Sequence, residues 1–114
     1  MTIMQFIVDY LSDKLDVPVR IKYPEDEDAF ILVEKVGVSM RNYIQSATVS
    51  LKAYAPNLYE AESLIGRTRK AIEGMVEKNE ISAVHLDTDA PWPDPSRKED
   101  RYQAVYIITH YLDD

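Results

Sequence analysis

Two stretches of apolar residues at helical spacing constrain the fold of this sequence more than any other feature. The first follows Thr2, which forms a capping-box signature with Gln5, and the second follows Asn57, a residue type that commonly caps helices. We expect the second helix to end near Lys78. The two apolar stripes comprise Ile3, Phe6, Ile7, Tyr10, Leu11 and Leu15, and then Ala61, Leu64, Ile65, Thr68, Ile72, Met75 and Val76. Each helix therefore has one face to bury against another layer.

The remaining apolar segments have the patterns of strands. Residues 29–36 are apolar at most positions, which favours a strand covered on much of both faces and ended by Gly37. In residues 47–54 apolar and polar positions alternate, so this strand is expected to place one face on the core and one polar face outward. Strand character is also present in 17–22, 81–87 and 101–112.

The resulting order of elements is α-β-β-β-α-β-β. A run of strands with only one intervening helix predicts an α+β fold, with a mostly antiparallel sheet of about five strands and two helices packed on one face. The 114 residues fit a single domain, 1–114, which can bury one core without covalent staples. Because the chain has no cysteine, disulfides, thiolate metal sites and a cysteine nucleophile are all excluded.

Charge and hydropathy limit the classes of partner. The formal net charge of -7 disfavours binding to a phosphate backbone, since the basic residues are scattered except for Arg67, Arg69 and Lys70. Apolar runs are far shorter than the roughly 20 residues of a membrane span, and residues 1–10 lack the pattern of a signal peptide. We therefore expect a protein that stays in the cytoplasm of the cell that makes it.

The two histidines are the first candidates for metal chemistry. If the last two strands pair with Asp87 opposite Arg101, His85 lies opposite Gln103 and His110 lies seven residues further along, about 23 Å away at ~3.3 Å per residue. The two imidazoles could not share an ion in that register. A structural or surface role for His85 is favoured over metal ligation, and the residues suggest no cofactor.

Other chemical motifs are equally weak. The acidic turn 25–28 lacks the spacing and central glycine of a calcium loop, and the three glycines are too far apart to form a phosphate-binding loop. The basic residues 67–70 suit either an acidic partner or the dipole of their own helix. No catalytic constellation is present, so we expect that the protein is not an enzyme.

The segment Pro91-Trp92-Pro93 is the candidate assembly interface. The only tryptophan of the chain lies between two prolines in a predicted loop that extends from Thr88 to Asp100. Rigidly held aromatic residues in loops are common binding anchors. The alternative is that Trp92 folds back over the edge of the core and pins the loop, and the sequence favours neither role.

Three segments together resemble the tail terminator and minor tail proteins of long-tailed bacteriophages and prophages. They are FILVEKVG at 30–37, ATVSLKAYAPNLYEAESLIGRTRKAI at 47–72, and PDP at 93–95 followed by RYQAVYII at 101–108. The resemblance extends over most of the chain. Each motif alone encodes little more than a strand, a turn or a cap, so the signal comes from the set.

The resemblance implies a structural protein of the virion tail that is assembled in the host cytoplasm. Such a protein forms a hexameric ring that caps the tail tube, stops its polymerisation and joins the tail to the head. The implied partners are further copies of the chain, the tail tube protein and a head connector or stopper protein. DNA would pass through the ring without specific binding, and no membrane is involved. A subunit of a closed ring uses two different patches, one for each neighbour.

Other functions remain open at this stage. Another head-to-tail joining protein, such as a stopper or head-completion protein, would share the small size and the ring. A small monomeric module that binds a protein, a peptide or an acidic ligand belongs to a different class, as does a degenerate enzyme. Ring formation would favour the joining proteins, whereas a saturable small ligand would favour the other two.

Overall fold

Both helices begin at the residues that the sequence predicts. A computed structural model describes residues 1–41, 44–91 and 100–112, and helix α1 spans Ile3–Lys14 while helix α2 spans Leu58–Gly74. Thr2 Oγ1 accepts a hydrogen bond from the backbone N–H of Gln5, and Asn57 Oδ1 accepts one from that of Glu60. These side chains satisfy N–H groups that have no partner within the first turn of a helix.

The second helix ends earlier than predicted. After Gly74 the chain tightens into a 3-10 turn, Met75–Glu77, and Val76 is exposed instead of continuing the buried stripe. Gly74 itself lies close to α1, because a Cβ atom at this position would lie 3.3 Å from the Tyr10 hydroxyl. The small residue therefore lets the two helices approach each other.

The described residues form five strands, and the predicted α+β class is confirmed. The strands are β1 Val19–Arg20, β2 Phe30–Arg41, β3 Ile44–Ala55, β4 Ile81–Pro91 and β5 Asp100–His110, in the spatial order β1-β2-β3-β5-β4. All pairs are antiparallel except β1 with β2, which makes the sheet mixed. The predicted strand 17–22 is reduced to two residues, which pair with Ile31 and Leu32.

The β2–β3 pair is longer than expected. Gly37 does not end β2, because one extra residue, Val36, forms a bulge and the pairing continues to Arg41 opposite Ile44. Strands β4 and β5 also extend into the segment predicted to be a loop, up to Pro91 and from Asp100. A bulge accommodates an extra residue without ending a ladder, so a glycine is not sufficient to stop a strand.

The core lies between the two helices and one face of the sheet. The helices contribute Ile3, Ile7, Leu11, Leu64, Ile65 and Ile72, and the sheet contributes Ile31, Val33, Ala47, Val49, Leu51, Ala53, Ala104, Tyr106 and Ile108. We call this side of the sheet the helix face and the opposite side the outer face. The alternate residues predicted to face the core in β3 do so, and Phe6 packs against the same cluster.

A second, smaller cluster covers one end of the outer face. Phe30 and Tyr54 lie opposite each other on neighbouring strands and stack at 4.6 Å between ring centroids, while Tyr23 meets both rings edge-on at 5.4 Å. Leu32 is buried with them. The prediction that β2 is covered on both faces is therefore correct over 30–33, whereas the prediction of a polar outer face for β3 is wrong at Tyr54, which is buried.

Candidate interaction surfaces

No candidate metal site is found among the described residues. Within these residues, no group of three or more His, Cys, Asp or Glu side chains is placed to hold a metal ion. Neither of the helices described above is long and apolar enough to cross a membrane.

The two histidines lie on opposite faces of the sheet. The predicted register is wrong, because His85 lies opposite Ile107 rather than Gln103, and Asp87 falls in a bulge instead of facing Arg101. Two bulges and a longer β4 shift the pairing by four residues along β5 relative to the prediction. His85 is exposed on the outer face, while His110 is buried on the helix face and accepts a hydrogen bond at Nδ1 from the Leu112 N–H. Their separation by the sheet prevents them from sharing an ion.

The proposed assembly segment lies mostly outside the described residues. Pro91 is the last residue of β4 and pairs with Tyr102 of β5. Trp92 and Pro93 lie outside the described ranges. Pro91 thus belongs to the strand pair rather than to the predicted loop, and the roles considered for Trp92 stay predictions.

The basic residues that are adjacent in sequence have separate roles on α2. Arg67 donates to Asp16, at 2.8 Å between Nη1 and Oδ1, and this hydrogen bond and the guanidinium charge hold the pKa of the Asp16 carboxyl below its ordinary value. Arg69 instead lies 3.8 Å from Glu73, one turn along the helix. Lys70 is exposed. Arg67 and Arg69 therefore have different carboxylate partners.

Tyr106 links the sheet to α2 through a polar contact. Its ring is fully buried on the helix face, and its hydroxyl donates to Glu73 Oε2 at 2.5 Å. Burial, and then this hydrogen bond, raise the pKa of the Tyr106 phenol well above its ordinary value. A phenol that stays protonated is suited to donating a hydrogen bond, so the contact is structural.

A cleft of about 440 Å³ lies between the end of α1 and the middle of α2. Tyr10, Leu15 and Ala71 provide its apolar lining, and its charged lining comprises Lys14, Lys70, Arg67 and Asp16. We call it the helix cleft. Lys14 Nζ lies 5.6 Å from the centroid of the Tyr10 ring, which is the range of a cation–π contact. Within the described part of the chain, Lys14 and Lys70 make no ion pair.

The far half of the β2–β3 pair is an exposed apolar arm. We define the hairpin arm as residues 36–41 and 44–46. Val36, Val38 and Met40 are 65%, 57% and 63% exposed. Val38 lies opposite Ala47 and so shares the helix face, but the helices do not extend over it. Adjacent apolar side chains that remain exposed on a folded protein often mark a contact site.

The sequence itself contains a strand pattern for the hairpin arm. Val36, Val38 and Met40 alternate with Gly37 and Ser39, which is the two-residue period of a strand. Gly37, between Val36 and Val38, does not interrupt this alternation. The pattern predicts a strand, but it does not reveal whether the apolar side is covered.

The outer edges of the sheet are also open to a partner. Strand β1 pairs only with Ile31 and Leu32, so within the described residues the edge of β2 from Val33 to Arg41 has no neighbouring strand. Strand β4 forms the other edge. Unpaired N–H and C=O groups at a sheet edge are templates for pairing with another chain.

Comparisons with known proteins add no family assignment. No protein-family model and no curated protein matches this sequence.

Proposed function

We propose that this protein is a phage tail terminator that assembles as a ring on the end of the tail tube. The observation that carries the proposal is the hairpin arm, whose apolar side chains Val36, Val38 and Met40 remain exposed beside an open strand edge. An exposed apolar strand with an open edge is a liability for a protein that works alone. It is a useful feature for a protein whose function is to join other protein subunits.

The distribution of surfaces suits a ring. A closed ring needs two different patches on each subunit, and the two open edges belong to different strands on opposite sides of the sheet, β2 and β4. The hairpin arm provides a further surface that extends past the helices, in a molecule that measures 44 × 24 × 22 Å. Contacts to two neighbours and to a tube can then use separate residues.

A ring of this kind would stop tube growth without covalent chemistry. Each subunit needs to make only a modest contact with the end of the tube, because several linked contacts act together and dissociate slowly. The ring then presents a surface that the next tube subunit cannot match. The net charge of -7 is consistent with a ring through which DNA passes without being held.

The test is to add the purified protein to polymerising subunits of its cognate tail tube. Electron microscopy should show rings at one end of the tubes, and tube elongation should stop. Because only tube ends are bound, amounts well below that of the tube subunits should be sufficient. Tubes that lengthen equally with and without the protein would contradict the terminator function and favour another joining protein. A protein that remains monomeric on tubes and at high concentration would favour a monomeric binding module.

A further inference from the structure

The helix cleft is a basic site in an acidic protein. Lys14, Arg67 and Lys70 converge on it although the chain carries a formal net charge of -7. The single carboxylate in the lining, Asp16, is already engaged by Arg67. The cleft thus has unneutralised positive charge over an apolar lining.

A matching acidic element is present elsewhere in the same chain. Glu27 in the turn 25–28 is held by Arg20, which donates to both of its carboxylate oxygens, at 2.9 and 3.1 Å. Glu25, Asp26 and Asp28 are exposed. The bidentate contact fixes the turn, so little conformational freedom is lost when a partner binds its three free carboxylates.

Among the described residues, no ion pair joins the helix cleft to the acidic turn of the same subunit. The helix cleft lies on the helix face of the sheet. The turn follows Tyr23, whose ring packs against Phe30 and Tyr54 on the outer face. Directly after the turn the chain passes close to Arg67, since Ala29 and Arg67 line one pocket, but Arg67 is paired with Asp16.

We propose that the acidic turn 25–28 of one copy docks into the helix cleft of the next copy. Three exposed carboxylates, Glu25, Asp26 and Asp28, then face Lys14 and Lys70, which lie beside the Arg67–Asp16 ion pair. The inference rests on the proposed ring, for which it supplies one subunit contact. Because the donor and the acceptor are different patches, the contact is head-to-tail and can propagate around a ring.

A second copy fits the cleft better than a nucleic acid does. A phosphate backbone would be repelled by the net charge of -7 of the whole chain. It would also be repelled by the Asp16 carboxylate in the lining of the cleft. A second copy carries the same net charge, but its turn meets the cleft over one short segment, whereas a nucleic acid carries charge along its whole length. Complementary charges of this kind direct the register of association more than they add affinity.

The experiment reverses the charges of each element separately. One variant carries Lys14→Glu and Lys70→Glu in the cleft, and the other carries Glu25→Lys and Asp26→Lys in the turn. Self-association is measured by sedimentation in solution and by electron microscopy on tube ends. Each variant alone should associate at least about tenfold more weakly than the wild type, and high salt should weaken wild-type association.

Mixing the two variants provides the decisive control. An equimolar mixture should regain association, because the basic cleft of one variant faces the acidic turn of the other, and the reversed cleft faces the reversed turn. A single chain with all four substitutions should regain it as well. A charge reversal at an exposed site away from both elements, Glu62→Lys, should change association little, and thermal melts should show that every variant is folded.

Three outcomes would overturn the docking. Variants that associate as the wild type does while tube growth is still arrested would reject the contact and leave the terminator function intact. A mixture that fails to recover would show that the two elements do not meet. Cleft variants that lose binding to DNA, with unchanged self-association, would assign the cleft to a nucleic acid. Failure of the wild type to arrest tubes, together with charge-dependent self-association, would reject the terminator function while supporting the contact.

Discussion

The two halves of β2 have similar compositions and opposite environments. Residues 30–33, Phe-Ile-Leu-Val, are all buried, whereas Val36, Val38 and Met40 in the far half are all exposed. The first half has α1 and α2 over its helix face and the aromatic cluster of Tyr23 and Tyr54 over its outer face. Neither layer extends to the far half. Burial in this strand is thus decided by what lies over it rather than by its own hydropathy.

This difference assigns different roles to the two halves. A side chain buried by its own subunit contributes to folding through the apolar area that it removes from water. A side chain that stays exposed contributes little to folding but can contribute to binding, because its apolar area is still available to be buried. One strand therefore connects the core of the protein to a surface suited for contacts.

The largest effect is expected for Phe30→Ala in the buried half. Removing this ring leaves a cavity between Tyr23 and Tyr54, and we expect a loss of about 3–5 kcal/mol in the free energy of unfolding, measured in urea. The matched control is Met40→Ala in the exposed half of the same strand, with an expected change of less than about 0.5 kcal/mol. Equal losses for the two variants would eliminate the distinction between the halves.

The next largest loss of stability is expected for a substitution in α2, one of the helices packed over the buried half of β2. Leu64→Ala on α2 should cost about 2–5 kcal/mol in the free energy of unfolding, because Leu64 is almost completely buried in the main core. Val76 belongs to the predicted stripe but is exposed, so Val76→Ala is the control and should cost less than about 0.5 kcal/mol. A loss below that value for Leu64→Ala would mean that this stripe is not the buried face.

A smaller effect is expected for the polar contact between the sheet and α2. Tyr106→Phe keeps the buried ring but removes the hydrogen bond to Glu73. Because the Glu73 side chain is half exposed and can be hydrated instead, we expect a loss of about 1 kcal/mol at neutral pH. Tyr59→Phe, at an exposed tyrosine, should leave the free energy of unfolding unchanged.

The free energy of unfolding of Tyr106→Phe should also depend on pH differently from that of the wild type. The pKa of Tyr106 is raised in the folded state, so as the pH rises past about 10 the unfolded chain releases this proton first. The stabilisation is complete below that pH and is lost as the pH rises further. The free energy of unfolding of the wild type should therefore decline more steeply above pH ~10 than that of Tyr106→Phe. If the free energies of unfolding of the two proteins fall in parallel with pH, folding does not raise the pKa of the Tyr106 phenol.

The smallest effect on stability and the largest on assembly should come from the hairpin arm. Val38→Ser combined with Met40→Ser should change the free energy of unfolding by less than about 0.5 kcal/mol per site. The same variant should arrest tail tubes poorly, because the arm would lose apolar area available for contact. Val76→Ser, which changes an exposed valine elsewhere, should arrest tubes normally. Full capping by the arm variant would place the tube contact on another surface.

The features that were predicted correctly depend on local chemistry. Thr2 and Asn57 cap their helices because each side chain reaches an N–H group three residues away. The buried positions of α2 from Ala61 to Ile72 follow from helical periodicity alone. The α+β class follows from the order of these local elements.

The features that were missed depend on pairing between distant segments. The register of β4 on β5 is set by bulges that a two-residue period does not reveal, and this placed His85 opposite the wrong residue. The aromatic cluster brings Tyr23 onto Tyr54, which is 31 residues away in the sequence. The helix cleft likewise joins Lys14 of α1 to Lys70 of α2.

By itself, the sequence determined the helix caps, the apolar stripes and the order of helices and strands, since each depends on residues within a few positions of one another. Only the tertiary structure decided which apolar residues of β2 are covered and where the cations of two helices converge. The physical reason is that burial and electrostatic complementarity are properties of surfaces brought together by folding. Val33 and Val38 are the same residue type in the same strand, and only the layers packed over them make one core and the other surface.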